Sequence, residues 1–432
     1  MDRRTFVSSL AAAPLAAQET RLNVVLIMTD DMGAGDLGCY GVRDIKTPNI
    51  DKIARQGVRF TESYSNGPVC TPTRCGLMTG RYQQRYGLEW ALNASQREHP
   101  GLPPSVPTLP RLFKNAGYRT AMFGKWHLGS RTPEMPLAHG FDEYFGITGG
   151  NTDLYTGKDV NGTLDLYEGN EKVEAKGYLT ELFSQRAAKF VESQSAAAPF
   201  FLYVPYNSVH WPFQAPGRPH DIRTRATWYD GTRRDYAEML QSIDQGVGSI
   251  LDAVERKGFG RNTLVMFTND NGGERLSRNW PFASHKGTLW EGGIRVPSLA
   301  KLPGRIPAGK DCAQPMMSMD LAVTALKAAG VQAPDNVDGI DLMPAMRGGP
   351  VTERTQFWRI NRADRKQRAA RKGDWKWLDD GPPFQALFNV KDDPGERSTK
   401  FYEYPEKVAE LRGLYEAWER DLAKNPPPYF VR

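Results

Sequence analysis

Residues 22–31 read Leu-Asn-Val-Val-Leu-Ile-Met-Thr-Asp-Asp. An unbroken apolar run of this length, without polar alternation, predicts a strand buried on both faces of a parallel sheet, here with two acids at its carboxyl end. Three similar runs follow, at 119–123, at 200–206 (Phe-Phe-Leu-Tyr-Val-Pro-Tyr) and at 263–268 (Thr-Leu-Val-Met-Phe-Thr). Each leads directly into polar residues. Helical patterns lie between them, the clearest at 236–257. There Met239, Ile243, Val247, Ile250, Leu251 and Val254 recur on one helical face and are expected to be core. Strands alternating with helices predict an α/β fold, a large and mostly parallel sheet sandwiched by helices. Ligands of such sheets bind at the carboxyl ends of the strands, so the polar clusters are expected to meet in one crevice. The chain from 350 onward differs. It has short apolar pieces, turns at Lys372-Gly373-Asp374 and Asp393-Pro394-Gly395, and a late helical pattern at 405–424. This predicts a small C-terminal α+β subdomain with a short antiparallel sheet. The expected organisation is a leader over 1–18, a main domain over 19–349 and the subdomain over 350–432.

With 432 residues, 40% hydrophobic and 25% charged, the chain is not a disordered one. The formal charge of +6 suits an anionic substrate. No zinc finger, basic helix or aromatic RNA-binding pattern accompanies that charge, so no nucleic-acid partner is expected. Nor is a membrane span expected in the body of the chain. The first residues, Met-Asp-Arg-Arg-Thr-Phe, precede an alanine-rich stretch with small residues at Ala16 and Ala17. This resembles a bacterial export signal of the twin-arginine type and implies a periplasmic or secreted protein cleaved near Ala17; a cytoplasmic leader is the alternative. The four cysteines, Cys39, Cys70, Cys75 and Cys312, form no metal-binding pair pattern, and no disulfide framework is expected.

The chemistry is concentrated in short motifs. Residues 70–81 read Cys-Thr-Pro-Thr-Arg-Cys-Gly-Leu-Met-Thr-Gly-Arg. Pro72 suits the first turn of a helix, so the chain is expected to enter one near Thr71–Arg74. Cys70 then stands at the positive end of the helix dipole, with Arg74 one turn later on the same face. Taken alone, the pentapeptide reads equally well as a buried structural cysteine beside an arginine. Asp30-Asp31 and Asp270-Asn271 follow two predicted strands and offer three carboxylates and an amide oxygen. That donor set suits a hard cation such as Ca²⁺ or Mg²⁺, although either pair alone is more often a cap or a turn. Gly-Lys-Trp-His-Leu-Gly at 124–129 places Lys125 and His127 two apart, on the same side of an extended backbone. His210 follows the strand at 200–206, and Lys286 opens a glycine-rich segment running to Pro297. His99, His139 and His220 fit no motif and read as structural or exposed.

Together these motifs resemble, in order over residues 22 to about 300, the type I sulfatases of the alkaline phosphatase superfamily. The style is that of arylsulfatase-like and N-acetylgalactosamine-6-sulfatase-like enzymes. The resemblance also extends to 368–377, which is similar to a strand turn of the sulfatase C-terminal subdomain. It implies an alkaline phosphatase-like fold and the hydrolysis of sulfate monoesters. Cys70 is then oxidised to formylglycine (3-oxoalanine) by a maturation enzyme, and one hydroxyl of its hydrate attacks sulfur. Asp30, Asp31, Asp270 and Asn271 hold one divalent ion, usually Ca²⁺ with Mg²⁺ as the alternative, which also contacts residue 70. Lys125 stabilises the hydrate, Arg74 adds positive charge, and His127 helps remove the second hydroxyl proton. His210 and Lys286 bind sulfate, and His210 or Lys286 assists the leaving oxygen.

The substrates implied are a sulfated carbohydrate and small aryl sulfates. A galactose-type or N-acetylgalactosamine-type unit, cleaved from a chain end, is implied by the resemblance alone. Trp90, Trp126, Trp211 and Trp290 lie near the motifs and read either as sugar platforms or as core. Two rival readings stay open: a formylglycine-dependent phosphonate or phosphodiester hydrolase, and a non-catalytic sulfated-glycan binding protein.

Overall fold

The computed structural model describes residues 21–93, 100–174, 176–219 and 225–427. The leader expected over 1–18, His99 and His220 lie outside these residues.

A ten-stranded sheet forms the centre. In chain order its strands are β1 (Asn23–Thr29), β2 (Val58–Phe60), then β4 (Arg119–Lys125), β5 (Glu143–Ile147), β6 (Leu166–Glu168), β7 (Glu171–Lys172), β8 (Phe200–Pro205), β9 (Thr263–Asn269), β10 (Leu299–Lys301) and β11 (Lys310–Cys312). A two-stranded piece pairs β3 (Ser63–Tyr64) with β12 (Met316–Met317). The spatial order is β11-β2-β10-β9-β1-β8-β4-β5-β6-β7. The central strands β9, β1, β8, β4 and β5 pair in parallel, while β10, β6 and β7 attach antiparallel at the flanks. The sheet is therefore mixed and mostly parallel, as the apolar runs predicted.

The unbroken runs are explained by burial on both faces. Val24, Leu26 and Met28 of β1 join one core with Met122, Phe201, Tyr203, Leu264 and Met266. Their neighbours Val25 and Ile27 join the other with Phe123, Leu202, Val204, Val265 and Phe267. Successive side chains point to opposite faces, so a strand with helices on both sides needs apolar residues at every position. Helices Cys70–Thr79, Leu109–Asn115 and Ser318–Ala328 cover the first face; Pro48–Arg55, Leu179–Ser193 and Arg233–Arg256 cover the second. All six residues expected as core on the long helix are buried. Thr232 caps that helix reciprocally with Asp235.

The late segment forms an antiparallel meander of β13 (Thr355–Asn361), β14 (Lys366–Lys372), β15 (Trp375–Asp379) and β16 (Gln385–Asn389). Gly373 takes φ 58° in the turn between β14 and β15, a conformation glycine adopts without steric cost. The helix Pro405–Ala423 packs Val408, Leu411, Tyr415 and Trp418 on this sheet. The same core includes Tyr64 of β3 and Leu289 and Ile294 from the segment between β9 and β10.

Buried charge also crosses this contact. Lys376 on β15 donates to Glu291 Oε1 at 2.9 Å and lies 2.8 Å from Glu396 Oε1. Glu291 Oε2 takes Arg295 at 2.8 Å and Tyr64 at 2.8 Å. Removing one member of such a network leaves the others desolvated and unpaired. Lys376→Ala is expected to destabilise the protein by about 3–5 kcal/mol, measured by urea unfolding; a loss below about 1 kcal/mol would show the network to be dispensable.

His139 is buried against Trp126, with ring centroids 5.2 Å apart. Burial, helped by Arg111, pushes its pKa down to about 4. A histidine depressed in the folded state binds its proton more readily once unfolded, so its share of stability is full above the unfolded value near 6.5 and is lost as pH falls toward 4. His139→Phe should flatten the decline in urea midpoint between pH 7 and pH 4.5; an unchanged slope would place the acid sensitivity elsewhere.

Candidate active site

Four adjacent parallel strands deliver the site. β9, β1, β8 and β4 end on the same edge, and they lead respectively into Asp270, Asp30-Asp31, Asn207–His210 and Lys125–His127. Between them stands the helix Cys70–Thr79, every residue of which is buried. Cys70 is its first residue, and Gly80 closes it at φ 67°. The helix therefore begins one residue earlier than expected.

Three carboxylates share this buried edge, each with a cation on it. Lys125 Nζ donates to Asp30 Oδ2 at 2.5 Å, and Lys286 Nζ to Asp31 Oδ2 at 2.6 Å. Arg74 donates through Nε and Nη2 to Asp270 Oδ2 at 3.2 and 2.8 Å, and through Nη1 to Lys125 O at 2.9 Å. Arg74 also lies 3.8 Å from Asp30. Cys70 Sγ donates to the other oxygen of Asp30 at 3.4 Å. His210 Nε2 lies 3.4 Å from Asp31 Oδ2, and its Nδ1 meets Trp211 O at 2.7 Å.

The electrostatics follow from burial. Desolvation, then the nearby Asp270, push the Asp30 carboxyl well above its usual range. Burial works the same way on Asp31, but Lys286 and His210 outweigh it and hold that carboxyl low. Burial and Lys286 push His210 down to about 3. Burial and Lys125 likewise depress His127, so both imidazoles are neutral near pH 7. Burial and the Asp30 charge raise the Cys70 thiol, which disfavours a thiolate there.

Two backbone features aim the side chains. Asp31 has φ 60° and His127 has φ 56°, both left-handed conformations without glycine. Such residues cost about 1–3 kcal/mol each and cluster at functional sites. The extended backbone expected through His127 is not found. The strand stops at Lys125, and the left-handed turn carries the His127 ring to Leu92 O, 2.7 Å from Nε2. Its Nδ1 is buried and accepts or donates no hydrogen bond. Thr71 Oγ1 holds the His127 carbonyl at 3.0 Å.

The oxygen donors suit a hard cation. Ligand atoms of Asp30, Asp31, Cys70 and His210 lie within 4.8 Å of one another. Asn271 donates from Nδ2 to Asp31 Oδ1 at 2.8 Å, while its Oδ1 is buried without a hydrogen bond. Asp270 Oδ1 takes the Asp31 amide at 3.3 Å. A buried, orphaned amide oxygen beside two carboxylates fits a bound divalent ion.

These strand ends, with this cysteine at a helix start, match one family. A family model described as Sulfatase matches residues 22–331, and a second, described as N-sulphoglucosamine sulphohydrolase, C-terminal, matches residues 282–413. N-acetylgalactosamine-6-sulfatase of Canis lupus familiaris is 38% identical over 385 residues, covering 82% of this chain and 72% of that one. The crystal structure of Ps i-CgsB is 30% identical with a TM-score of 0.87, and covers 95% of both chains. The same protein in complex with k-i-k-neocarrahexaose gives a TM-score of 0.85 at 30% identity, again over 95% of each chain. The chain belongs to the sulfatase family. It is a type I sulfatase of the alkaline phosphatase superfamily, a hydrolase of sulfuric esters.

In this sulfatase the structure brings together the ten residues singled out from the sequence: Asp30, Asp31, Cys70, Arg74, Lys125, His127, His210, Asp270 and Asn271, with Lys286 reaching in from the segment after β9. Of the four tryptophans, Trp126 is core. Trp90, Trp211 and Trp290 are half-buried.

Sequence reasoning missed two residues. Asn269, the last residue of β9, accepts from Thr29 Oγ1 at 2.7 Å and Met32 N at 3.2 Å, and returns Nδ2 to Met32 O at 3.0 Å. It pins the turn that holds Asp31. It directly follows the apolar run 263–268, and its amide was the only signal. Glu274 is the other. It accepts from the Trp211 indole at 3.2 Å and lies 3.7 Å from Lys286 Nζ. Asn269→Leu should cost about 1–3 kcal/mol of stability, the penalty for stranding buried donors and an acceptor, together with a fall in sulfate release. A variant with unchanged urea midpoint and unchanged turnover would show that the turn holds itself.

Proposed function

We propose that this chain is an exported, formylglycine-dependent sulfatase that removes sulfate from a galactose-type or N-acetylgalactosamine-type sugar at a chain end, with one bound Ca²⁺. The observation that carries the reading is the position of Cys70. Its sulfur stands at the first residue of a buried helix, 3.4 Å from Asp30, among the ammonium and guanidinium groups of Lys125, Arg74 and Lys286. A raised thiol makes an ordinary cysteine nucleophile a poor choice there, which favours use of an oxidised form.

Oxidation of Cys70 to formylglycine supplies a hydrated aldehyde, one hydroxyl to attack sulfur and a second through which sulfate is expelled. Asp30, Asp31, Asp270 and Asn271 are the residues that would hold the ion, which would supply positive charge at the anion site. The protein's own groups do the rest. Lys125 and Lys286 complete the anion site, and Arg74 fixes Asp270 and the Lys125 carbonyl in place. His127, neutral and with a free Nδ1, takes the second hydroxyl proton. His210, held by the Trp211 carbonyl, and Lys286 assist the departing oxygen.

Carbohydrate specificity is supported by the names of the relatives, one an N-acetylgalactosamine-6-sulfatase and one bound to a neocarrahexaose. Export rests on Arg3-Arg4 before the alanine-rich leader; no helix among the described residues is long and apolar enough to cross a membrane. We take 19–349 as the catalytic unit and 350–432 as its accessory, because the separate meander begins at Thr355.

Three measurements bear on this. Cys70→Ala should abolish sulfate release from para-nitrophenyl sulfate, and the wild-type peptide should carry oxoalanine at position 70; full activity in the variant would end the mechanism. Elemental analysis should find one calcium per chain, removable by chelation with loss of activity and of thermal stability, whereas two zinc ions would favour a phosphatase. Among defined sulfated sugars, galactose 6-sulfate or N-acetylgalactosamine 6-sulfate should be desulfated; if aryl sulfates alone turn over, the carbohydrate assignment fails.

A further inference from the structure

Beside the sulfate-facing lysine stands a carboxylate that the reaction does not use. Glu274 follows β9 by five residues, on the same segment as Lys286. Its backbone is fixed on several sides. Gly273 N donates to Asn279 Oδ1 at 2.9 Å, and Lys286 N donates to Gly273 O at 3.2 Å. Glu274 O accepts from Ser277 N at 2.9 Å and from Ser277 Oγ at 2.8 Å. A side chain on position 273 would collide, its Cβ 2.0 Å from Ser277 Oγ and 2.7 Å from Gly33 Cα. The segment cannot shift without breaking these contacts, so the carboxylate is presented from a rigid base.

The carboxylate itself is half-satisfied. Oε2 accepts from the Trp211 indole at 3.2 Å and faces Lys286 Nζ at 3.7 Å. Oε1 takes no hydrogen bond from the described residues, and the side chain is 31% exposed where that of Lys286 is 14% exposed. Lys286 spends its shorter contact, 2.6 Å, on Asp31. Glu274 therefore sits one shell outside the anion site, at its rim, with an acceptor oxygen left over. Trp211 adds a half-buried wall: its ring centroid lies 4.6 Å from that of His210 and 4.6 Å from that of Tyr229. An aromatic face next to a carboxylate acceptor is the pairing that reads a sugar ring, the face taking its C–H surface and the carboxylate its hydroxyls.

We propose that Glu274 is a specificity-determining residue that accepts a hydrogen bond from a free hydroxyl of the sugar next to the sulfate ester, and that excludes a second sulfate at that position. The proposal rests on the sulfated-sugar reading above. A negative charge so close to the site does not help bind the sulfate being cleaved. Its use is discrimination. A neutral hydroxyl donates to it, whereas a neighbouring sulfate has no proton to give and is repelled. A site built to pair a hydroxyl also rejects an analogue that lacks it, because the carboxylate is left without its donor.

The test compares wild type, Glu274→Ala and Glu274→Gln on N-acetylgalactosamine 6-sulfate, galactose 6-sulfate, N-acetylgalactosamine 4,6-disulfate and para-nitrophenyl sulfate. For Glu274→Ala, the ratio of kcat/KM on a turned-over monosulfated sugar to that on the aryl sulfate should fall by at least about tenfold. Glu274→Gln keeps an acceptor oxygen without the charge, so it should recover most of that ratio and raise the relative rate on the disulfate. An equal loss on sugar and aryl sulfate would overturn the proposal, since it would mean that Glu274 acts only through Lys286. An unchanged ratio in both variants would overturn it as well. Failure of every sulfated sugar with wild type, while the aryl sulfate turns over, would remove the substrate reading and this inference with it, and is recognisable before any variant is made.

Discussion

Three carboxylates buried at one edge of a sheet are the constraint on which this structure depends. Asp30, Asp31 and Asp270 are each less than about a twentieth exposed. Like charges so close and so dry repel strongly unless opposite charge is brought to them. The chain brings it from three separate places: Arg74 from a helix, Lys125 from the end of β4, and Lys286 from the loop beyond β9. Parallel strands make this possible, because they deliver several chain segments to one edge. The two-sided core is what keeps the strands parallel and buried. The left-handed turns at Asp31 and His127 are local consequences, small strains accepted to aim side chains inward.

The same constraint explains the role of the C-terminal meander. The segment 285–291 must present Lys286 from a fixed position. Leu289 N donates to Gln367 on β14 at 2.9 Å, Trp290 Nε1 to Asp380 at 2.9 Å, and Glu291 takes Lys376. The accessory sheet thus clamps the far side of the loop whose near side carries the lysine. Gly292 and Gly293 let this loop fold tightly; a Cβ on Gly293 would lie 2.1 Å from Thr288 O.

Much of this was legible in the sequence. β1, β4, β8 and β9 announced themselves because strands buried on both faces are apolar throughout, and the helix at 233–256 because its buried stripe recurs with helical period. Asp30, Asp31, Lys125, His210, Asp270 and Asn271 were legible at or just after the ends of those strands, and Cys70, Arg74 and Lys286 only through motifs resembling a known family. What escaped were features set by tertiary contact. The left-handed turn at His127 goes with the docking of its ring on Leu92, 35 residues earlier in the chain, a contact that no local pattern announces. Asn269 closes a strand without belonging to a motif, and Glu274 owes its place to a tertiary contact with Trp211. The short flanking strands β2, β6, β7, β10 and β11 carry too few residues to show a period.

The proposed mechanism is attack at sulfur, by an oxygen held at position 70 and screened by the three cations. Hydrolysis of para-nitrophenyl sulfate in water labelled with heavy oxygen reads this directly. Cleavage of the sulfur–oxygen bond places the label in the released sulfate and none in the phenol, which is the result expected. Label in the phenol would mean that the carbon–oxygen bond breaks, and the arrangement of Cys70, Asp30 and Lys125 would need another explanation.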